Sequence, residues 1–566
     1  MSNVIKMIAM RTADKIISSV VIFIICLFAG GCTTKYYTRS ADREVYRIIA
    51  QKSMMVTNMD TKFSIETNPP PDLSDCPIND RVEESLGAEA DIEKGARVIT
   101  LDKALELAVK HSREYQSQKE ALYLRALSLS LTRHNTPPLF PRQRLRQEEI
   151  HSGVDNLVDS KRFYAGGSAT LESLLFTGGK IVTDFSMNFS KFLKGDPQAL
   201  LSSTMGASIT QPLLRGAGYK IAVENLTQAE RDFLYAVRNF TRYRKDFAIK
   251  IATAYYGVLQ NRDRVRNSYR GLVNYRANVE RDTAFVAEGL RAQAQLDELK
   301  QAELSTESSW INAVISYKQS LDQFKITLGL PLSTKIVLDD TELTKLQITH
   351  PQITVEDAIK IAEASRLDLH NQRDQLEDAE RKLHIAKNNM LPNLDLTGSV
   401  YLPDRPGNKG LPDFNNPQWD ANVSLRVPLD KKADRNTLRA AQIALTQAKR
   451  DYDLKLDNVR LEIVNDWRAL DQAKRNYEIS LAGVKVSERR VEEQNLRAEL
   501  GRSTAREVVA AQDSLIKSRD DLTAAVIAHT LARLRFYSDM GILMINDRGK
   551  WEEMADAGVN GNNKQN

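Results

Sequence analysis

Residues 99–108 read ITLDKALELA, and the same pattern returns as ITVEDAIKIA at residues 353–362, which is 254 positions later (353 − 99). Both copies begin with an isoleucine and a threonine, and acidic residues follow within the first turn. A threonine in that place caps the N-terminus of a helix, and acidic side chains stabilise the first turn. The chain therefore begins the same helical unit twice, which indicates an internal duplication.

Two further landmarks support the duplication. The motif around Pro212 (Gln-Pro-Leu) corresponds to the motif around Pro428 (Val-Pro-Leu) at an offset of 216 (428 − 212), so the first copy has 38 extra residues before it (254 − 216). A stripe of residues with a seven-residue period then repeats at an offset of 212 (463 − 251). Its members are Ile251, Val258, Val265, Leu272, Val279 and Val286, matched by Ile463, Leu470, Tyr477, Val484, Val491 and Ala498.

Each copy is predicted to contain two helices, a β-hairpin, a very long helix, a turn and a returning helix. Residues 218–288 and 433–500 contain no proline, and ~70 helical residues at ~1.5 Å each span about 105 Å. A strict seven-residue period predicts left-handed supercoiling against neighbouring helices. The predicted fold class is mainly α with a small β part, built from two structural repeats.

The β-hairpins are predicted from alternation. Apolar and polar residues alternate at 393–400 and 422–427, and less cleanly at 204–209 in the first copy. Strands of about 9–11 residues that alternate in this way are typical of a barrel wall around a wet lumen. A soluble, half-buried hairpin alternates identically. The preceding stretch 163–192 leaves two alternatives open, one long strand or a small extra hairpin.

The N-terminus is predicted to be a secretory signal. Three basic residues precede the apolar run Ile16–Phe28, and Ala-Gly-Gly leads into Cys32. An apolar core of roughly 13 residues is too short for a membrane span of ~20. Small residues before a cysteine resemble a bacterial lipobox, which makes Cys32 the predicted lipidation site; an ordinary signal with an incidental cysteine is the alternative.

These observations divide the chain into five predicted regions. They are a lipoprotein signal peptide at 1–31, a tether and N-terminal extension at 32–97, repeat 1 at 98–345, repeat 2 at 346–545 and a polar tail at 546–566.

Composition excludes several classes of function. The 79 basic and 74 acidic residues are spread along the chain and leave a net charge of +5, whereas nucleic-acid binding requires a clustered basic face. The three cysteines and seven scattered histidines show no metal-ligand spacing. No HExxH, GxSxG or phosphate-binding loop occurs, so neither an enzyme nor a cofactor is predicted.

The order of these motifs resembles that of the TolC-like outer-membrane factors, over residues 99–541. The paired helix openings, the Pro-Leu landmarks, the turn glycines Gly289 and Gly501, and the closing Gly329 and Gly541 carry the resemblance. It implies a homotrimer of the lipoprotein type in outer-membrane lipid, with four strands per subunit in a twelve-stranded β-barrel that continues into a periplasmic α-barrel. It also implies a periplasmic adaptor (membrane fusion) protein and an inner-membrane transporter as partners, in a tripartite efflux or type I secretion system.

The resemblance places the adaptor contact at two turns. These are predicted at Gly289 and Leu290 in the first repeat, and at Gly501 and Arg502 in the second. Both turns are expected to lie at the end of the tunnel farthest from the membrane.

The resemblance also points to a pore constriction near the second turn. Glu507, six positions past the turn glycine, is the candidate, with Gln295 as its neutral counterpart in the first repeat. The usual basic lock residue is missing because Ser503 occupies its place, and Arg502 and Arg506 are the nearby substitutes. A plain solvated helix charge is an equally good interpretation of Glu507.

One rival function remains, a lipid-anchored periplasmic coiled-coil scaffold without a pore. It accounts for the seven-residue period and for Cys32 but not for alternating strands in both repeats. The strands therefore favour a channel.

Overall fold

The structure is a computed structural model that describes residues 34–59, 63–66, 69–135, 142–148, 162–192, 199–404, 412–500 and 502–552. The predicted signal peptide, the predicted lipidation site Cys32, the turn glycine Gly501 and residues 553–566 lie outside the described residues.

Four helices dominate the structure. They are the first long helix (Glu224–Ala287), the first return helix (Gln293–Leu328), the second long helix (Lys432–Glu499) and the second return helix (Ala505–Asp539). At ~1.5 Å per residue the long helices measure about 96 Å and about 102 Å. Each long helix packs along its own return helix, and the second return helix also packs along the first long helix.

Shorter helices precede each hairpin. The pair Leu101–His111 and Arg113–Asn135 in the first repeat corresponds to Val355–Ser365 and Leu367–Asn388 in the second. The remaining short helices are Thr34–Ser53, Tyr219–Ala222 and Thr341–Thr344, with a 3-10 helix at Glu84–Ile92.

The predicted helix caps are present in both repeats. The Thr100 hydroxyl accepts the Lys103 backbone N–H at 3.3 Å, and the Thr354 hydroxyl accepts that of Asp357 at 3.2 Å. Each bond satisfies a donor that the first helical turn leaves without a partner.

The strands form one two-stranded sheet, one three-stranded sheet and one large sheet. In chain order they are β1 (Ile78–Asn79), β2 (Ala96–Ile99), β3 (Arg142–Glu148), β4 (Arg162–Leu174), β5 (Lys180–Phe192), β6 (Ala199–Pro212), β7 (Ile336–Leu338), β8 (Asn393–Leu402), β9 (Gln418–Arg426), β10 (Met544–Ile545) and β11 (Trp551–Glu552). The large sheet is antiparallel throughout, in the order β3-β4-β5-β6-β8-β9. The mainly α fold with a small β part is therefore confirmed.

The register of the large sheet separates an apolar face from a polar face. Leu394 pairs with Leu425 on one face, and Thr397 pairs with Asn422 on the other. The apolar face continues across the sheet through Ile181, Phe185, Met205, Ile209 and Val400. The polar face carries cross-strand hydroxyl contacts, at 2.6 Å between Ser186 and Thr204 and at 3.3 Å between Thr210 and Thr397.

The large sheet has six strands, two more than the four per subunit that the resemblance implies. The stretch 163–192, for which two alternatives were open, forms a hairpin of β4 and β5. Gly178 has a φ of +88° in the turn between them, a backbone conformation that favours glycine and lets the chain reverse. The first repeat thus contributes four strands to the large sheet, β3 to β6, and the second repeat contributes two, β8 and β9. The two additional strands therefore belong to the first repeat.

The seven-residue stripe forms the interior of the helical part. Ile251, Val265 and Leu272 are completely buried in the first long helix, as Ile463 and Leu470 are in the second. Towards the turns Val279, Val286 and Val491 are half-buried, whereas Val484 and Ala498 are buried. The expected burial of the stripe is thus observed, and it extends to Ala498 at the end of the second long helix.

The N-terminal extension is built into the first repeat. Glu93 is completely buried, and it accepts hydrogen bonds from Arg262 at 2.5 Å and from the Tyr317 hydroxyl at 2.7 Å. Val45 and Ile49 of the N-terminal helix lie in the hydrophobic core that also contains Ile251 and Val265 of the first long helix. Because a buried carboxylate is stable only with such partners, this contact joins the extension firmly to the long helix.

A buried histidine lies on the second return helix. His529 is completely buried, and neither ring nitrogen has a hydrogen-bond partner among the described residues. Burial, together with the nearby charges of Arg533, His350 and Lys474, lowers the pKa of His529 to about 4. The imidazole is therefore neutral near pH 7.

Candidate functional site at the helical tips

The first tip is a glycine-terminated helix end. Gly289 follows the first long helix with a φ of +73°, and the Leu290 N–H bonds to the Phe285 carbonyl at 2.8 Å. A left-handed glycine and this backward hydrogen bond end a helix without steric cost. Leu290 itself is largely exposed at the tip.

The second tip has the same closing hydrogen bond. The Arg502 N–H bonds to the Arg497 carbonyl at 2.8 Å, again five residues back. The predicted turn glycine Gly501 is outside the described residues, whereas Leu500 and Arg502 on either side of it are exposed. Both long helices thus end through a matching backbone contact.

An arginine ties the two tips together within one protomer. The Arg291 guanidinium, on the first tip, donates to the carboxylate of Asp282 and to the backbone carbonyl of Ala498 near the end of the second long helix. Asp282 is completely buried and Arg281 contacts it at 3.4 Å. Because the bonds to a buried charge are strong and directional, Arg291 holds the end of the second long helix against the first tip.

Sequence reasoning missed this residue although the duplication contained the signal. The resemblance places the basic lock residue in the second repeat, where Ser503 stands in its place. At the offset of 212, Ser503 corresponds to Arg291 (503 − 212). The basic side chain at the tip is therefore supplied by the first repeat.

Glu507 completes the capping box of the second return helix, in which Thr504 is the N-cap residue. Its carboxylate accepts the Thr504 backbone N–H at 2.8 Å and the Thr504 hydroxyl at 3.0 Å, and its own N–H donates to that hydroxyl at 3.4 Å. The Ser503 hydroxyl is a further donor at 3.2 Å. These donors lower the pKa of Glu507, which is fully exposed in the single protomer. Residues 504–507 match the Ser/Thr-x-x-Glu motif of a capping box, which is the sequence signal for this contact.

The other two candidates at the constriction have different surroundings. Gln295, at the corresponding position of the first return helix, is half-buried, and Ala292 precedes that helix without a side-chain cap. Arg506 is strongly exposed and reaches Glu298 of the first return helix at 3.4 Å. An exposed ion pair of this kind contributes little to stability. Glu507, Arg506 and Ser503 thus lie together at the second tip. Arg291 of the first tip reaches the end of the second long helix beside them.

The chemistry of this region is electrostatic. Within the described ranges, no group of three or more His, Cys, Asp and Glu side chains is arranged to hold a metal ion. Across those same ranges, none of the helices combines the length and apolar character needed to traverse a bilayer.

The comparisons with known proteins agree with this architecture. Residues 358–541 match the sequence profile of the family described as outer membrane efflux protein. A search of curated proteins returned no significant match to the sequence. The resemblance to the TolC-like factors that the motifs predicted is confirmed by the profile match together with the structural matches that follow.

Three solved outer-membrane channels have a similar fold. CmeC from Campylobacter jejuni has 13% identity and a TM-score of 0.57, with 87% of this chain and 96% of that chain covered. VceC from Vibrio cholerae has 15% identity and a TM-score of 0.56, with 78% and 96% covered. MtrE from Neisseria gonorrhoeae, solved in an open state, has 14% identity and a TM-score of 0.56, with 78% and 89% covered. At these identities the likeness concerns the fold.

Proposed function

We propose that this protein is the subunit of a homotrimeric outer-membrane tunnel that exports substrates across the periplasm and the outer membrane. In this proposal it works with a periplasmic adaptor and an inner-membrane transporter, in a tripartite efflux or type I secretion system. The proposal rests on the large sheet, which has one apolar face and, among the described residues, two unpaired edges. This sheet lies at one end of helices that are about 100 Å long, since nearly 70 residues rise ~1.5 Å each.

The edges of the sheet require partner strands. Among the described residues, β3 and β9 each pair on one side only, and all nine residues of β9 are exposed. Open edges with unpaired backbone groups are not tolerated in hydrocarbon. About eight strands are needed to close even a small barrel, and one protomer has six in this sheet. Sharing one barrel among copies of the chain satisfies both constraints.

The helices supply the second argument for assembly. The second long helix leaves apolar side chains exposed at seven-residue spacing, and these are Leu454 and Leu461, then Ile479 and Val486. An apolar stripe at this spacing favours packing against another helix. Neighbouring protomers would cover it and complete the wall of an α-helical duct.

The proposal also gives the duct an orientation. The sheet lies in the outer membrane in this proposal, so the tips at Leu290 and Arg502 lie deepest in the periplasm, where the adaptor binds. Cys32 would be the acylated first residue of the mature chain, which adds an anchor to a protein already inserted through its barrel. Mass spectrometry of the mature protein tests this point, and an unlipidated or intact N-terminus would contradict it. Replacing Cys32 by Ser should impair anchoring more than pore formation.

Single-channel recording of the purified full-length protein in a planar bilayer tests the channel itself. We expect heat-modifiable trimers and discrete conductance steps. Two adjacent positions of β9 provide a matched pair, because Val423 belongs to the apolar face and Asn422 to the polar face. Val423→Arg places a charge towards lipid, at a cost of ~2–4 kcal/mol at the bilayer midplane, and should abolish insertion. Asn422→Arg should insert and conduct.

The opposite results would identify the scaffold. A lipid-anchored coiled coil without a pore would show no conductance, and both β9 variants would behave alike. Either of these outcomes would end the channel proposal.

A further inference from the structure

We propose that the trimer closes a barrel of eighteen strands, six from each protomer, in which β3 of one protomer pairs with β9 of the next. This inference rests on the proposed trimeric channel, and it departs from the twelve strands that the resemblance implies.

The extra strands coincide with the extra residues of the first repeat. At the offset of 254, the helix that ends at Asn135 corresponds to the one that ends at Asn388, since 388 − 254 is 134. At the offset of 216, β5 and β6 correspond to β8 and β9, because Pro212 corresponds to Pro428 and Lys180 corresponds to position 396 within β8. The 38 additional residues therefore lie between Asn135 and β5, the interval that contains β3 and β4.

The turn between β4 and β5 is locked to the base of the sheet, the end where the chain passes into the long helices. The Thr177 carbonyl accepts the Gly218 N–H at 3.0 Å and the Gln211 side-chain amide at 3.2 Å. A Cβ on Gly178 would lie 2.4 Å from the Gly216 carbonyl oxygen, so the two turns are in close backbone contact. These contacts fix the start of β5 and the end of β4 at the same level as the other strands.

β4 continues the ladder without interruption. It pairs with β5 along its whole length, from Arg162 opposite Phe192 to Leu174 opposite Lys180. β3 then pairs with β4 from Arg142 opposite Glu172 to Glu148 opposite Gly166. The inserted pair thus extends the same sheet at its open edge.

Strand direction favours β3 as the edge that meets a neighbour. β9 runs towards the base, because the second long helix follows it, and β4 also runs towards the base. Pairing β9 with β4 of the next protomer would be parallel, whereas pairing it with β3 is antiparallel. Single-chain outer-membrane barrels contain antiparallel strands, so six strands per protomer satisfy closure and five do not.

The width of such a barrel fits the duct beneath it. With strands ~4.8 Å apart and tilted ~40°, eighteen strands give a circumference of about 113 Å and a diameter of about 36 Å, and twelve strands give about 75 Å and 24 Å. The trimer has twelve long and return helices, four from each protomer, and at ~9 Å apart they give a circumference of about 108 Å. Eighteen strands therefore continue a twelve-helix duct with little change of width.

Electron cryomicroscopy of the full-length trimer tests the inference by counting strands across the membrane region. We expect eighteen. A variant that lacks the 38 residues 138–175 reduces the first repeat to the plan of the second, and it should form a trimer with twelve strands and a barrel about two-thirds as wide. Both proteins should conduct in planar bilayers.

Disulfide crosslinking keeps the inference testable if the deletion variant fails to fold. In a Cys76→Ser background, Leu145→Cys in β3 is combined in turn with a cysteine at 421, 422 or 423 in β9. We expect a covalent trimer ladder from at least one pair. The matched control is Leu171→Cys in β4 with the same β9 cysteines, and it should give none.

The outcomes separate the two proposals. Twelve strands in the full-length trimer, or crosslinks from β9 to β4 in place of β3, would overturn the eighteen-stranded barrel and leave the channel intact. Absence of both trimers and conductance would overturn the channel proposal itself.

Discussion

Replacing Arg291 by alanine should loosen the tips of the tunnel. The substitution removes the guanidinium that joins the buried Asp282 carboxylate of the first long helix to the Ala498 carbonyl near the end of the second long helix. Asp282 keeps a contact with Arg281 at 3.4 Å, but that residue lies on the same helix and does not reach the second tip. The end of the second long helix therefore loses this contact with the first tip.

The structure sets the size of the effect. Removing one partner of a buried ion pair costs about 3–5 kcal/mol, because the other charge remains buried. Arg281 retains part of the compensation, so we take ~3 kcal/mol per protomer, the low end of that range. At ~1.4 kcal/mol per factor of ten, the equilibrium between the tied and released arrangements shifts about 150-fold in each protomer.

Single-channel conductance of the isolated trimer measures this shift. We expect Arg291→Ala to raise the resting conductance several-fold and to lengthen openings. Arg291→Lys keeps a positive charge but loses the planar fork that reaches two acceptors, so its effect should be intermediate. Arg502→Ala is the matched control, since Arg502 is an exposed arginine on the other tip.

A resting conductance of Arg291→Ala equal to that of the unmodified channel would refute the reasoning. So would an equal rise in Arg502→Ala, because a general loss of positive charge at the tips would then explain both. Thermal unfolding of the same variants distinguishes a local release from a global loss of stability.

Three other predictions concern the duct and its pH response. Leu272→Asp places a charge without a partner at a completely buried position, at a cost of several kcal/mol per protomer, and should prevent trimer assembly on native gels. Val273→Asp, on the exposed side of the same helix, should still assemble. Assembly of both variants would show that the stripe is not buried between helices. We expect the resting pore to prefer cations and to be blocked by divalent ions from the periplasmic side. Glu507→Gln should weaken both effects and Gln295→Ala should change little, while unchanged block and selectivity in Glu507→Gln would leave Glu507 only its capping role. Because the pKa of His529 is lowered to about 4, the unfolded chain binds the extra proton first as pH falls, so stability is full above about pH 6.5 and is lost towards pH 4. His529→Leu should therefore show a smaller fall in melting temperature between pH 7 and pH 5, and an identical fall would contradict the assignment.

Local features of the fold were predictable because their causes lie within a few residues. Thr100 and Thr354 cap their helices through residues three positions away. Absence of proline and a seven-residue period predicted the long helices and the buried stripe. Gly289 adopts the left-handed conformation expected of a glycine that ends a helix. Glu507 belongs here too, since its partner Thr504 is three residues away and the capping motif was readable.

Other features depended on partners that are far apart in the chain. The number of strands was not predictable, because alternation along 163–192 is weak and only pairing with β6 and the contact between Thr177 and Gly218 show where the chain turns. The tie at Arg291 joins positions 207 residues apart. The burial of Glu93 depends on Arg262 and Tyr317, more than 160 residues away.

The sequence by itself determined the helices, their ends, the duplication and the polarity of the strands, and the tertiary structure decided the strand count, the tie between tips and the place of the N-terminal extension. The physical reason is the range of the interactions. Periodicity, capping and glycine turns act between neighbours on the chain, so residue order alone specifies them. Sheet register and buried ion pairs act between segments that meet only after the chain has folded, and their stability depends on which partners then lie within hydrogen-bond distance.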